Sequence, residues 1–472
     1  MKLGKPSTIL FINPWIYDFA AYDFWAKPIG FLYLASILRK NDYDIRYIDC
    51  LNSNHSTLKA ISGITPPLRR IEGRGKFLKT KIEKPEPLKF ILRHYSRYGI
   101  PVELFMEELA KIPPPVAILI TSTMTYWYPG VFDAIKMAKK VFPHTPVILG
   151  GIYATLCHAH AKKYSGADVF VSGPGELEVV RLISSLTGNT ITYLPDQKNL
   201  DSFPYPAFDL VDTLHYVCIL TSRGCPYRCH YCASHMLRPA YSSRDPMAVA
   251  DEIAFWREQY GMVNIAFFDD ALFFQPEKHF IPLMNELMRR RIHCCFHAPN
   301  GINIRGMTEE IAHLMFHGGF KTIRFGLETA NEGQMEKTGG KTTRKEFVEA
   351  LRLIKKAGFS ENDIGVYLLA GLPEQRAEEV EESIRFVKNC GARPFLAEYS
   401  PIPGTTLWEK AVKTSPFDLM HEPLFHNNSI LPCQWEGLTH QDLVRLKQLL
   451  KQPSRSSTLS DNSHPPGDCK CR

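Results

Sequence analysis

Apolar runs short enough to be strands recur along the first 195 residues, each bounded by turn-forming residues. Thr8–Ile12, Asp44–Ile48, Val116–Ile120, Pro146–Leu149 and Asp168–Val171 are rich in β-branched or other apolar side chains, which suit a pleated surface. Between them, Ile29–Leu38 and Gly130–Lys140 repeat apolar positions at the spacing of a helix face. Strands alternating with helices predict βαβ units and a parallel sheet covered on both faces, a Rossmann-like α/β domain over residues 1–195. Ligands of such sheets bind beyond the carboxyl ends of the strands. Those ends carry Asn13-Pro14, Thr121-Ser122-Thr123, Gly150-Gly151 and Ser172-Gly173-Pro174-Gly175-Glu176.

A stretch with several prolines, Leu194–Phe208, marks a linker over 196–214 that leads to a second half in which the alternation resumes in longer units. Its strand candidates are Tyr216–Thr221, Asn264–Phe268, Cys294–His297, Thr322–Gly326, Asp363–Leu369 and Pro394–Tyr399. Pro246–Tyr260 gathers Val249, Ile253 and Trp256 on one helix face, and Arg344–Ala357 does the same with Phe347, Leu351 and Ile354. Six βα units predict a partial (β/α)6 barrel over 215–410, with its active site at the carboxyl ends of the strands. A short helical region follows over 411–452, holding the amphipathic segment Gln441–Leu450. The Ser/Pro-rich tail 453–472 is expected to be disordered.

Composition alters this picture little. With 44% hydrophobic and 22% charged residues, the 472-residue chain can build sizeable cores, which excludes a collagen-like or disordered protein. No apolar run approaches the roughly 18 residues of a membrane span. The apolar run near the N-terminus reads as a first strand rather than a leader, so a cytoplasmic protein is expected. Charge is more telling: residues 69–97 hold ten Lys/Arg and three Glu, a surplus that equals the chain's whole net charge of +7. This stretch lies in an insertion over 53–112. It reads first as a solvated, partly flexible segment and second as a surface for an anionic partner. A nucleic acid is not expected, because no aromatic stacking pattern accompanies the charge.

Most of the twelve cysteines are scattered, but TSRGCPYRCHYCAS brings Cys225, Cys229 and Cys232 together just after the first strand of the second half. Three thiolates so close can converge on one inorganic centre. A structural zinc would need a fourth ligand. A [4Fe–4S] cluster on three cysteines leaves one iron open. His230 lies inside the Cys229–Cys232 spacing and is poorly placed to complete a zinc site.

This CxxxCxxC stretch, with Tyr231 before its last cysteine, resembles the signature of the radical S-adenosylmethionine (SAM) superfamily, in its branch with an N-terminal cobalamin-binding-type domain. The resemblance covers about residues 215–410. It implies a cluster on Cys225, Cys229 and Cys232 whose open iron chelates SAM, and reductive cleavage of SAM to methionine and a 5′-deoxyadenosyl radical. It also implies SAM contacts at Tyr231, at Asp269 and Asp270 after the second strand, at Glu328 in Gly326-Leu327-Glu328-Thr329, and at Leu372 in Gly371-Leu372-Pro373-Glu374. A carboxylate at Glu328 suits paired ribose hydroxyls, since it accepts two hydrogen bonds. Pro401-Ile402-Pro403-Gly404-Thr405 resembles the sixth-strand loop of the same branch.

Residues 8–180 are similar to the cobalamin-binding domain that precedes such barrels, through FINPW, Pro28-x-Gly30-x-x-x-Leu34-Ala35 and Asp49, and through Thr121–Thr125, Gly150–Thr155 and Ser172–Glu176. Cobalamin contacts are thereby implied at Thr121, Ser122, Gly150, Gly151, Thr155, Gly173 and Glu176. The Asp-x-His-x-x-Gly run that supplies a lower axial histidine is absent after Asp49, and His55 reads as a loop residue. Tyr126, Trp127 and Tyr128 read as interdomain packing first and as a corrin-facing wall second. His297 and Asn300 are candidates to face a substrate.

The leading expectation is a cobalamin-dependent C-methyltransferase, in which one SAM generates the radical and another recharges methylcobalamin. The alternative is radical rearrangement, cyclisation or C–S bond formation on a scaffold that no longer uses cobalamin. An iron–sulfur sensor or electron carrier is the non-enzymatic reading. A methylthiotransferase would carry three further N-terminal cysteines, whereas only Cys50 and Cys157 are present there. The expected partners are a small-molecule substrate and an electron donor such as flavodoxin or ferredoxin. No residue is assigned to the chemical step itself.

Overall fold

The apolar runs of the first half form five strands: β1 (Thr8–Asn13), β2 (Asp44–Asp49), β3 (Ala117–Ile120), β4 (Val147–Leu149) and β5 (Val169–Phe170). They lie in the order β5-β4-β3-β1-β2, and every neighbouring pair is parallel. This computed structural model describes residues 6–61, 63–340 and 342–452. The tail 453–472, with Cys469 and Cys471, lies outside the described residues. Ile9, Leu10, Phe11 and Ile12 of β1 are fully buried, as a central strand covered on both faces requires. The strand order reverses between β1 and β3, which makes their carboxyl ends the switch point of the sheet.

The 53–112 insertion is more ordered than its charge implies. Tyr95–Tyr98 pairs antiparallel with both Ile16–Asp18 and Lys79–Ile82, and Tyr22–Asp23 pairs with Gly75–Lys76. Its base is fastened by an Arg69–Asp23 ion pair at 2.5 Å, by the Trp25 indole donating to the Glu72 carbonyl at 2.7 Å, and by the Leu78 amide donating to Ser53 Oγ at 3.2 Å.

One compact unit comprises the chain up to His215 with Met236–Arg238 and Leu419–Ile430; the other comprises Tyr216–His235, Pro239–Asp418 and the chain from Leu431 onward. The returning segment 419–430 docks within the first unit on the stretch after β3. Tyr128 donates to Glu422 at 3.0 Å, and Asn427 Nδ2 donates at 2.8 Å to Asp18, which also accepts from the Trp127 indole at 2.7 Å. His426 Nε2 donates to the Leu419 carbonyl at 2.9 Å, so its Nδ1 accepts from the Thr125 hydroxyl at 3.0 Å. Burial lowers the pKa of this imidazole to about 4. Tyr126–Tyr128 therefore pack inside this unit, against a segment that arrives from the far end of the sequence.

The second unit holds β6 (Val217–Ile219), β7 (Asn264–Phe267), β8 (Cys295–Ile302), β9 (Phe320–Glu328), β10 (Ile364–Ala370) and β11 (Arg393–Glu398). All are parallel and neighbours in chain order, as a partial (β/α)6 barrel demands. Phe267, Phe296 and Phe320 stack together and meet Phe280 of the helix Phe280–Arg289, which marks the outer face. Next to Phe296, across a register shift, buried His297 bridges Asn264 at 3.1 Å and Thr322 at 3.2 Å, so it is a strap between strands. Among the described residues no helix is long and apolar enough to cross a membrane.

Candidate active site

The cysteine loop is positioned before its first cysteine is reached. Asp269, just beyond β7, is buried and accepts from the Thr221 amide at 3.1 Å, the Thr221 hydroxyl at 2.7 Å and the Ser222 hydroxyl at 2.6 Å. Burial raises its pKa, and these donors oppose the rise. Ser222–Arg223 then pairs antiparallel with Ser242–Ser243, and Gly224 turns the chain at a φ of +78°. Behind this hairpin Arg244 and Glu252 form a buried ion pair, and Arg244 donates to the Leu220 carbonyl at 3.2 Å.

Cys225, Cys229 and Cys232 are each half-buried. Burial pushes the Cys225 thiol up to about 11, with Asp270, Cys232 and Cys229 adding to the rise, so the four groups lie within electrostatic reach of one another. The Ser234 amide donates to Cys232 Sγ at 3.5 Å, and Ser234 Oγ lies 3.3 Å from the same sulfur. The His230 amide donates to the Thr338 carbonyl at 3.3 Å, and its carbonyl accepts from the Leu407 amide at 3.0 Å. This loop is thus sewn to the loops that follow β9 and β11. Gly339, at a φ of +109°, lies against it: a Cβ there would stand 3.2 Å from Cys229 Cα.

Polar groups gather around the cysteines. Tyr231 is hydrogen-bonded to Glu328, and burial followed by the Glu328 charge holds its phenol protonated. Glu328 is buried at the end of β9 with a φ of +68°, next to a register break between Gly326 and Glu328. Such a backbone costs a non-glycine residue on the order of 1–3 kcal/mol and survives where the surroundings enforce it. Asp270 keeps access to solvent although protein crowds it, as for a group lining a cleft; burial and then Asp269 raise its pKa, and the Ser234 hydroxyl opposes. Asn300 donates to the Phe268 carbonyl at 3.2 Å and braces this strand end. Leu372 is buried in the turn after β10, where Gln375 accepts from the Gly371 and Leu372 amides at 2.8 and 3.2 Å.

The donor set suits a [4Fe–4S] cluster: three cysteines leave a tetrahedral zinc one ligand short, whereas a cluster held by three leaves one iron open. The Ser234 amide directed at Cys232 Sγ is the kind of hydrogen bond that tunes such a sulfur.

In the other unit, the loops after β3, β4 and β5 converge. Ser122 Oγ donates to the Gly150 carbonyl at 2.6 Å and its carbonyl accepts from the Ile152 amide at 2.8 Å. Gly151, at a φ of +95°, lies so close that a Cβ would stand 2.2 Å from the Ser122 carbonyl oxygen. Thr155 donates to the Gly151 carbonyl at 2.8 Å and accepts from the Gly173 amide at 2.9 Å. A Cβ on Gly173 would meet open space. The Thr121 amide donates to the Ile12 carbonyl at 3.3 Å, placing it at the switch point. Glu176 is buried and pairs with Arg238 at 2.7 Å. His55 caps a short helical turn through the Thr57 amide at 3.3 Å, in keeping with a loop role.

Reading the sequence overlooked Ser234, Gly339, the Arg244–Glu252 pair and the 419–430 segment. Gly339-Gly340 was a visible signal of close backbone approach; the others rest on long-range contacts without a local mark.

Comparison with known proteins agrees with this geometry. Residues 219–387 match the family model of the radical SAM superfamily. An uncharacterized methyltransferase of Pyrococcus horikoshii, PH0819, is 25% identical over 437 residues, 85% of this chain and 88% of its own. The anaerobic magnesium-protoporphyrin IX monomethyl ester cyclase of Cereibacter sphaeroides is 25% identical over 354 residues, 65% of this chain and 55% of its own. The structure of the radical SAM methyltransferase TsrM from Kitasatospora setae, with cobalamin and a [4Fe–4S] cluster bound, aligns over 94% of this chain and 91% of its own. Its TM-score is 0.66 at 15% identity, a likeness of fold.

Proposed function

This chain is a radical SAM superfamily enzyme, and from that premise we propose that it is a cobalamin-dependent C-methyltransferase acting on a small molecule. The observation that carries the proposal is the pairing, in one chain, of a cysteine loop at the first strand end of a six-stranded parallel barrel with a five-stranded β5-β4-β3-β1-β2 sheet whose strand-end loops bring Ser122, Gly150, Gly151, Thr155 and Gly173 together. When bound, a [4Fe–4S] cluster supplies the electron that cleaves SAM to methionine and a 5′-deoxyadenosyl radical, and cobalamin supplies a methyl group to an unactivated carbon.

The chain's own residues hold and orient. Cys225, Cys229 and Cys232 ligate the cluster, and the Ser234 amide steadies the Cys232 sulfur. Asp270 receives polar groups of SAM at the barrel mouth, while Asp269 works from behind by holding Thr221 and Ser222. Glu328 receives the ribose hydroxyls, with Tyr231 fixing its carboxylate, and Leu372 packs the adenine side. Thr121, Ser122, Gly150, Gly151, Thr155 and Gly173 shape the corrin cradle; Glu176 acts through its pair with Arg238. The electron comes from a flavodoxin- or ferredoxin-like donor. The similarity to the cyclase favours a second reading, radical cyclisation at the same barrel.

The test is anaerobic reconstitution with iron, sulfide and hydroxocobalamin, followed by desalting and metal analysis. About four irons and one cobalt per chain are expected, with SAM cleavage on reduction and methyl transfer to an acceptor. Cys229→Ser should abolish SAM cleavage. Four irons without cobalt would remove the methyltransferase reading and leave the cyclisation one.

A further inference from the structure

Among the described residues, the most exposed large apolar side chains are Leu92 at 97%, Leu68 at 94% and Ile71 at 86%. All three belong to the 53–112 insertion, in the turns before and after the strand Lys79–Ile82, and Phe90 beside Leu92 is 52% exposed. A side chain held in water at a turn contributes nothing to the fold through burial. These turns are not loose. The Arg70 amide donates to the Arg74 carbonyl at 3.0 Å, and the Gly73 amide donates to the Arg70 carbonyl at 2.9 Å, above the fastened base at Asp23 and Trp25.

Cations surround these tips. Internal partners absorb some: Arg69 pairs with Asp23, Arg74 with Glu72 at 2.7 Å, and Lys89 with Glu86 at 2.5 Å. Arg70, Lys76, Lys79, Lys81 and Arg93 remain exposed. Lys79 and Lys81 alone would be explained as blunting an edge strand, but the aliphatic tips would not. We propose that this insertion of the N-terminal unit docks, through the turns at both ends of the strand Lys79–Ile82, on the surface of an anionic lipid bilayer. Leu68, Ile71 and Leu92 enter the interface, and the lysines and arginines meet headgroup phosphates. Nucleic acid is the poorer fit, because aliphatic tips offer bases no stacking face.

The test is flotation of the full-length protein with phosphatidylcholine vesicles, with and without about 30% phosphatidylserine. Binding is expected only to the anionic vesicles, and it should weaken at least about tenfold between roughly 0.1 and 0.5 M salt. Leu68→Asp/Leu92→Asp and Lys79→Glu/Lys81→Glu should each weaken it by about tenfold or more, with unchanged unfolding midpoints because all four positions are exposed. Four results would overturn the proposal. They are absence of flotation, equal binding to uncharged vesicles, indifference to both double variants, and tighter binding of single-stranded RNA than of vesicles. Loss of self-association in the leucine variant without vesicle binding would instead identify an interface between copies.

Discussion

At the scale of single residues, two adjacent carboxylates divide the work. Asp269 satisfies three buried donors just beyond β6, whereas Asp270 is exposed within electrostatic reach of Cys225. Asp269→Ala should therefore strand buried polar groups and cost about 3 kcal/mol or more, since each unsatisfied group costs roughly 1–3 kcal/mol. Iron retention after reconstitution should fall with it, and Asp269→Asn should restore part of both. Ser234 predicts a subtler effect. The donor to Cys232 Sγ is its amide, so Ser234→Pro, a residue tolerated at the first position of the helix Ser234–Leu237, should lower the cluster's potential by roughly 40 mV, one hydrogen bond of about 1 kcal/mol in a one-electron couple. A redox titration followed by electron paramagnetic resonance would read it; an unchanged potential at full iron content would refute it. That the three cysteines share one loop after the first barrel strand was legible from spacing alone. Which of two neighbouring aspartates turns inward was not, because nothing in Phe268-Asp269-Asp270 records the donors that wait on a strand 48 residues earlier.

Among the elements, the strands of the two parallel sheets were legible because most are short apolar runs between turn residues, and the six barrel strands fall where periodicity puts them. Pairing order carries no such local mark. The small antiparallel sheets inside the insertion escaped notice because strands of two to four residues, rich in Lys and Arg, read as loop. The glycines give a contrast that separates strain from close packing. Gly151→Ala meets both a φ of +95° and a carbonyl oxygen 2.2 Å away, so it should cost well over about 3 kcal/mol or prevent folding of its unit. Gly173→Ala shares the positive φ, at +70°, but meets open space, and should cost only about 1 kcal/mol. Urea unfolding of the two variants would distinguish them, and equal costs would contradict the crowding at Ser122.

For the whole molecule, the least legible feature is the return of residues 419–430 to the first unit, since no local pattern announces a contact between Asp18 and Asn427. Its pH dependence follows from His426, whose pKa is lowered to about 4 by burial. A histidine depressed in the folded state contributes stability that is present above its unfolded pKa of about 6.5 and lost as pH falls toward 4, roughly 3 kcal/mol in full. His160, lowered to about 4 by burial and then by Lys163, acts in the same direction. Unfolding of this unit should thus become easier between about pH 6.5 and 4, and His426→Gln should flatten the profile. The same return has a consequence during synthesis. The N-terminal sheet leaves the ribosome some 200 residues before its last segment, an interval of roughly 10–40 s at about 5–20 residues per second. Throughout that interval Asp18, Thr125 and Tyr128 lack the partners that complete them, so the unit that is begun first stays unfinished until nearly the whole chain has been made. A chaperone that shields nascent chains has its longest engagement there, and a chain cut before residue 419 leaves that half permanently waiting.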